Sequence, residues 1–248
     1  LAFYDAIVDA DQGEGVAVLF GNYAGDNMNV KMAVQMAEDD DIEVKYVVAN
    51  DDVASAPKAV KEQRHGIAGG FFMWKVGGAR AAKGGSLDDV IASAQNVVNR
   101  TKSICVGLEP CVIPALGHSN FKIEDGTMEF GVGHHGEAGT KVEKLKSASE
   151  MAQEMAETIL NDFDFEEGKE VAVMLSGLGA TPVMELYVLY DEVEKVLAKA
   201  GHKVWKTYIG NYVTSLDMNG ASLTIVDLDD EIKELLSEPA VPIGMKNY

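Results

Sequence analysis

Residues 16–48 constrain the fold of this chain more than any other stretch. Val-Ala-Val-Leu-Phe at 16–20 is an unbroken apolar run bounded by turn residues, the pattern of a buried strand of the parallel type. It empties into Gly-Asn-Tyr-Ala-Gly-Asp at 21–26, after which helical spacing returns over 28–37. The acidic residues 38–41 read as a solvated turn, 43–48 as the next strand, and the polar residues 50–52 as its close. Strand, loop, helix, strand is the repeating unit of a parallel sheet. In such sheets ligands sit beyond the carboxyl ends of the strands, which directs attention to the loops.

The rest of the chain extends this reading. Residues 1–10 place Phe3, Ile7 and Val8 on one helical face, and 11–15 end that helix. Glycines at 66–70 and 77–78 bracket the apolar residues 71–76 and predict a close helix–helix or helix–strand approach. Ser86 with Asp89, and Ser147 with Glu150, have the spacing of capping boxes for helices over 87–98 and 151–161. Strands are expected at 104–107, 170–175, 203–209 and 221–226, with a short helix over 229–236. Thr181 as N-cap and Pro182 at the first helical position start a helix that runs to about Ala200. Residues 109–141 carry few periodic elements and form a long irregular insert, a feature that often carries function. The expected fold is α/β, with two α/β lobes of mainly parallel or mixed sheets, 1–102 and 103–248.

Composition narrows the function. Net charge is -19, from 40 acidic against 21 basic residues, a field that repels nucleic acid. No apolar run approaches the roughly 20 residues that span a bilayer, and no signal peptide is evident. Two cysteines are too few for a disulfide framework and fit a reducing cytoplasm. The chain opens at Leu1 inside a helical pattern, which reads as a fragment of something longer.

Three loops leave strand ends: 22–26, 131–137 and 176–181. The second, Gly-Val-Gly-His-His-Gly-Glu, sets two imidazoles and a carboxylate among three glycines. Neutral imidazole serves as nucleophile, base or metal ligand near pH 7. The same residues match G-x-G-x-x-G in form, but neither a long strand before them nor a helix start after them is present, so a dinucleotide site is rejected. Asp26, behind a glycine at a strand end, suits a base or hydrogen-bond acceptor facing a cleft, and equally an N-cap. The loop at 176–181 suits an anion held by backbone N–H groups, or an ordinary tight connection. No G-x-x-x-x-G-K-S/T phosphate loop occurs. Cys105, Cys111, His118, His134 and His135 fit no standard zinc spacing, and Cys105 in an apolar strand reads as a small hydrophobe.

Five motifs in order give the chain a resemblance: Gly-Asn-Tyr-Ala-Gly-Asp (21–26), Arg-His-Gly-Ile-Ala-Gly (64–69), Met-Glu-Phe-Gly-Val-Gly-His-His-Gly-Glu (128–137), Gly-Leu-Gly-Ala-Thr-Pro (177–182) and Thr-Ser-Leu-Asp-Met (214–218). Over essentially its whole length the chain resembles the dihydroxyacetone kinase family, specifically the ketone-binding subunit or domain. The resemblance implies two α/β lobes and a homodimer. It implies that His135 adds to the substrate ketone as a hemiaminal, a capture open only to carbonyl compounds, and that Asp26 binds the substrate hydroxyl and assists its attack on phosphorus. Gly133 and Glu137 would shape the loop and orient the imidazole, with Gly21 also at the substrate. No cofactor is expected in this chain and no metal. ATP, or an ADP recharged by a phosphotransferase relay protein, would sit on a partner nucleotide-binding subunit or domain.

Two departures qualify the substrate. The family's upstream Gly-Gly-Gly-Ser-Gly-His-Glu-Pro segment, with a second catalytic histidine, is absent from this sequence, as truncation would leave it. Gly21 stands where many members have lysine, so a four-carbon ketose such as erythrulose joins dihydroxyacetone as a candidate. A non-catalytic ketose-binding regulator on the same scaffold is the alternative function.

Overall fold

A computed structural model describes residues 1–119, 121–163 and 168–242. Helix α1 (Ala2–Ala10) leads into strand β1 (Val16–Gly21), helix α2 (Ala24–Asp39) and strand β2 (Val44–Ala49). β1 and β2 pair in parallel, Val16 opposite Val44 through Gly21 opposite Ala49. The expected β-loop-α-β unit is therefore present. Its first strand is only partly covered, however: Val16 and Phe20 are buried and the residues between are half-exposed. The expected helix over 1–10 is α1, in which Ile7 is buried while Phe3 and Val8 remain exposed. A helix packed over one neighbouring helix needs a narrower apolar stripe than the sequence offers.

Helices α3 (Gly70–Ala82) and α4 (Leu87–Asn99) follow and pack on each other. The glycines do what their clustering predicts. A β-carbon on Gly77 would come 2.8 Å from the Leu19 side chain, so the helix lies directly on β1. Both capping boxes form: Asp89 N donates to Ser86 Oγ at 3.2 Å while Ser86 N donates to Asp89 Oδ2 at 2.9 Å. Ser147 and Glu150 repeat the exchange at the head of helix α5 (Ala148–Asp162).

The second half of the chain builds a larger sheet. Its strands are β3 (Thr101–Glu109), β6 (Thr127–Phe130), β7 (Lys141–Lys144), β8 (Glu170–Gly177), β9 (Lys203–Gly210) and β10 (Asn219–Asp227), while β4 (Val112–Ile113) and β5 (His118–Ser119) make a separate small hairpin. Among the described residues the sheet order is β7-β6-β3-β10-β8-β9, with β8–β9 parallel and the other neighbours antiparallel. The sheet is thus mixed. The residues read as an irregular insert, 109–141, supply β6 of this sheet and the small β4–β5 pair, and end where β7 begins. Helix α6 (Val183–Lys199) covers one face beside α5, and helix α7 (Asp230–Ser237) packs against α3.

Thr181 does not cap α6; that position belongs to Pro182. The Thr181 hydroxyl turns instead to β10, accepting from Gly220 N at 2.8 Å and lying 2.6 Å from Gly220 O. A tie to the sheet satisfies its oxygen more completely than one helix N–H would.

One apolar cluster crosses from the first part of the chain to the second. Val47 and Ala49 of β2 and Phe72, Met73 and Val97 of the helices share it with Ala172, Met174, Tyr208 and Val226 of the large sheet. The backbone repeats the connection, because Ser103 N donates to Asp51 O at 2.8 Å and Val53 N to Ser103 O at 3.0 Å. Beneath it Arg64, fully buried, donates both Nη groups to Asp162 at the end of α5, at 2.6 and 2.8 Å. Among the described residues no helix is long and apolar enough to cross a membrane.

Candidate functional site

The loop after β6 folds on itself. Gly131 and Gly136 both sit at φ 77°, the left-handed region that glycine enters without penalty. Gly133 N donates to Glu137 O at 2.9 Å, and Gly136 N to Gly133 O at 3.2 Å. This closure lays the Glu137 side chain over Gly133. Glu137 Oε2 then accepts from His135 N at 2.8 Å, and Oε1 lies 3.3 Å from His135 Nδ1. Burial pushes the Glu137 carboxyl up, but the backbone N–H groups of Glu137 and His135 and the imidazoles of His135 and His65 outweigh it. The carboxyl is held below the usual range and is ionised at neutral pH.

The two adjacent histidines divide inward and outward. His134 is buried, its carbonyl accepts from Ser215 Oγ, and its Nε2 is buried without a hydrogen-bond partner among the described residues. Burial above all, with the neighbouring His135, lowers its pKa to about 4 against the opposing effect of Glu137, so the ring is neutral at pH 7. His135 projects outward with 64 % of its side chain exposed. A carboxylate beside Nδ1 favours the tautomer with a proton there, leaving the Nε2 lone pair to face a ligand. That arrangement suits a nucleophile or a base.

The loop after β1 meets this one through Tyr23. Its ring lies 4.6 Å from that of His135, edge to face, and 4.8 Å from that of His65, stacked. The Tyr23 hydroxyl is buried with no hydrogen-bond partner among the described residues, and burial pushes its ionisation far up, helped by Glu137, Asp52 and Asp51. Tyr23 caps α2, whose helix starts at Ala24 rather than near Met28. Asp26 therefore stands in the first helical turn, where a carboxylate suits the helix dipole, and is not the N-cap. No hydrogen bond or ion pair joins Asp26 to His135 or Glu137 among the described residues. Gly21 lies under the Tyr23 ring: a β-carbon there would sit 3.3 Å from the ring and 3.2 Å from Gly66 O. Of the residues singled out from sequence, His135, Glu137 and Gly133 are thus in direct contact, Gly21 reaches them through Tyr23, and Asp26 stands in the first turn of α2 beyond Tyr23.

The third loop, 176–181, supports the site from behind. Leu178 N donates to Gly220 O and Ala180 N to Met218 O, while Ser215 N donates to Leu178 O and so positions the hydroxyl that holds His134. Two of its backbone donors are thus engaged within the fold. No group of three His, Cys, Asp or Glu side chains able to hold a metal ion occurs among the described residues.

Sequence reasoning passed over four residues here. Asp51 and Asp52, read as a polar turn, are buried, and their charges act on the Tyr23 hydroxyl. Asp51 accepts from Ile67 N at 3.1 Å and Gly69 N at 2.8 Å; burial nevertheless raises its pKa. Asp52 is raised to about 7, mainly by burial and also by Asp51. Tyr23 and His65 stood inside quoted motifs, but ring-on-ring contact between separate loops has no linear signature.

Comparison with known proteins gives the site its context. The chain is 41 % identical over 228 residues to the "PTS-dependent dihydroxyacetone kinase 1, dihydroxyacetone-binding subunit DhaK" of Listeria innocua, covering 92 % of this chain and 69 % of that one. It is 37 % identical to the "D-erythrulose kinase" of Mycolicibacterium smegmatis, over 93 % of this chain and 40 % of that one. Among solved structures, the "Dihydroxyacetone kinase operon co-activator Dha-DhaQ" superposes with a TM-score of 0.89 at 29 % identity, covering 95 % of this chain and 73 % of the other. The sequence pattern described as the Dak1 domain matches residues 2–243, and the chain therefore belongs to the Dak1 domain family.

Proposed function

We propose that this chain is the ketone-binding component of a dihydroxyacetone-type kinase, and that His135 holds the substrate covalently. The observation that carries the reading is the exposed His135 ring with Glu137 beside Nδ1. The Nε2 lone pair attacks the ketone carbon, the C=O π pair moves to oxygen, and oxygen takes a proton from solvent. The Nδ1 proton leaves toward Glu137, so the product is a neutral hemiaminal formed without loss of water. A polyol of equal length has no carbonyl and is not captured. Asp26 then accepts the proton of the hydroxyl that attacks phosphorus. The phosphoryl group comes from ATP, or from an ADP recharged by a phosphotransferase relay, on a partner subunit or domain, and the chain works as a homodimer. Catalysis in that assembly is mostly alignment and charge neutralisation across the interface. Similarity to a subunit named for dihydroxyacetone binding supports the substrate class.

A second reading is a ketose-binding regulator. It is favoured by the close fold match to a co-activator and by the lack of contact between Asp26 and His135. Both readings keep the capture step and differ in transfer. The relative named D-erythrulose kinase keeps a four-carbon ketose among the substrates to be tested.

The test is native mass spectrometry with dihydroxyacetone and with erythrulose, for the chain and for His135→Ala. An adduct of one ketose mass that vanishes in the variant is expected, and the better ketose names the substrate. Adduct without phosphorylation, when a competent nucleotide-bearing partner is supplied, selects the regulator. No adduct with either ketose would overturn the capture reading.

A further inference from the structure

We propose that His65 is a second ligand-contacting imidazole, which hydrogen-bonds a hydroxyl of the ketose while His135 takes the carbonyl. This rests on the capture reading above.

Backbone packing puts His65 there. A β-carbon on Gly66 would come 2.4 Å from Ala49 O and 2.9 Å from Gly21 Cα, so residue 66 lies directly against the ends of β1 and β2. His65 is then tied on both sides: its N–H donates to Ser55 Oγ at 2.9 Å, and its carbonyl accepts from Asp52 N at 3.1 Å. The ring has a fixed root, stacked on Tyr23 with an interplanar angle of 21°. His135 contacts the same tyrosine ring, and the Glu137 carboxylate lies within the field of both imidazoles.

The chemistry left open on this wall favours a hydroxyl. Tyr23 presents its ring to both histidines, while its own hydroxyl is buried. Glu137 is already committed to His135 at both oxygens. His65 is half-buried, and neither of its ring nitrogens has a hydrogen-bond partner among the described residues. A neutral imidazole offers one donor and one acceptor, which suits an alcohol of unknown orientation. Contact with a hydroxyl flanking the captured carbonyl would select hydroxyketones from simple ketones, a discrimination the covalent bond alone does not provide.

The competing role is structural, with His65 serving only as a stacked wall for Tyr23. His65→Phe separates the two, since it keeps an aromatic ring and removes both nitrogens. Dihydroxyacetone and acetone, each carbon-13 labelled at the carbonyl, would be titrated into the whole protein and the hemiaminal carbon followed by NMR. The expected result is a loss of about tenfold in dihydroxyacetone affinity, in the range of one hydrogen bond, with acetone affinity unchanged. An equal loss for both ketones, or a loss for neither, would overturn the role of His65 while leaving capture by His135 intact. A wild-type protein that adds neither ketone would overturn the capture reading and this inference with it.

Discussion

Glu137 folds back over Gly133 so closely that a β-carbon at position 133 would stand 2.2 Å from Glu137 Oε2 and 2.9 Å from Glu137 Cβ. The loop and its carboxylate are therefore one device. Gly133→Ala is expected to cost about 1–3 kcal/mol, the range of overpacking, read as a fall in thermal midpoint. Gly133→Ala combined with Glu137→Gly should lose less than the sum of the two single changes, because the obstructing side chain is gone. Strict additivity would show that the two residues do not press on each other.

The pairing of Glu137 with His135 makes a second prediction. Nitrogen-15 NMR of the wild type at pH 8 should find the His135 proton on Nδ1. In Glu137→Ala it should move largely to Nε2, with weaker ketone capture. An unchanged tautomer would remove Glu137 from its orienting role.

Buried His134 and buried Asp52 give opposite pH dependences of stability. The His134 pKa is lowered to about 4, below its unfolded value near 6.5, so between these limits the unfolded chain binds more protons. Its contribution falls as pH drops from 6.5 to 4. The Asp52 pKa is raised to about 7 from an ordinary aspartate value of 3.8, so there the folded chain binds more protons and stability falls as pH rises from 4 to 7. At full effect these are worth about 3 kcal/mol for His134 and about 4 kcal/mol for Asp52. Asp52→Asn keeps an acceptor for Ala54 N and should raise the melting temperature at pH 8 but not at pH 4. His134→Gln should flatten the acid side. Denaturant titrations across pH 4–8 would check both, and an Asp52→Asn gain that is the same at every pH would refute the burial argument.

Arg64 and Asp162 form the buried ion pair under the loop that carries His65. Asp162→Leu leaves a buried guanidinium unpaired and should destabilise by about 3–5 kcal/mol. Arg64→Met with Asp162→Leu should recover most of that loss, since no charge is stranded. Chemical denaturation of the three proteins would decide; a double variant as unstable as the single one would show that the pair does more than neutralise itself.

What the sequence made legible follows physical reach. The apolar run before Gly21, both Ser-x-x-acid caps and the glycine cluster around α3 are local signals, and each appears in the structure. His135, Glu137 and Gly133 were legible because they lie within five residues of one another. The hairpin of β6 and β7 was not, since four-residue strands give too few alternations to register a period. Thr181 was misread because its nearest claimant in sequence, a helix end, lost to Gly220, which is 39 residues away. Tyr23 between His65 and His135 is longer-range still, an encounter of three loops that no periodicity encodes.

The apolar cluster that joins β2 to the large sheet has a mechanical consequence. Two bodies hinged by a linker open and close around a ligand, but bodies that share Val47, Ala49, Met174 and Tyr208 in one core move as a single block. Tyr23, on the loop after β1, and His135, on the loop after β6, meet ring to ring 4.6 Å apart and are held like the touching jaws of a fixed gauge. If His135 captures a ketone as proposed, the ligand reaches it over the exposed side of the ring, and selection rests on what fits the set spacing rather than on closure.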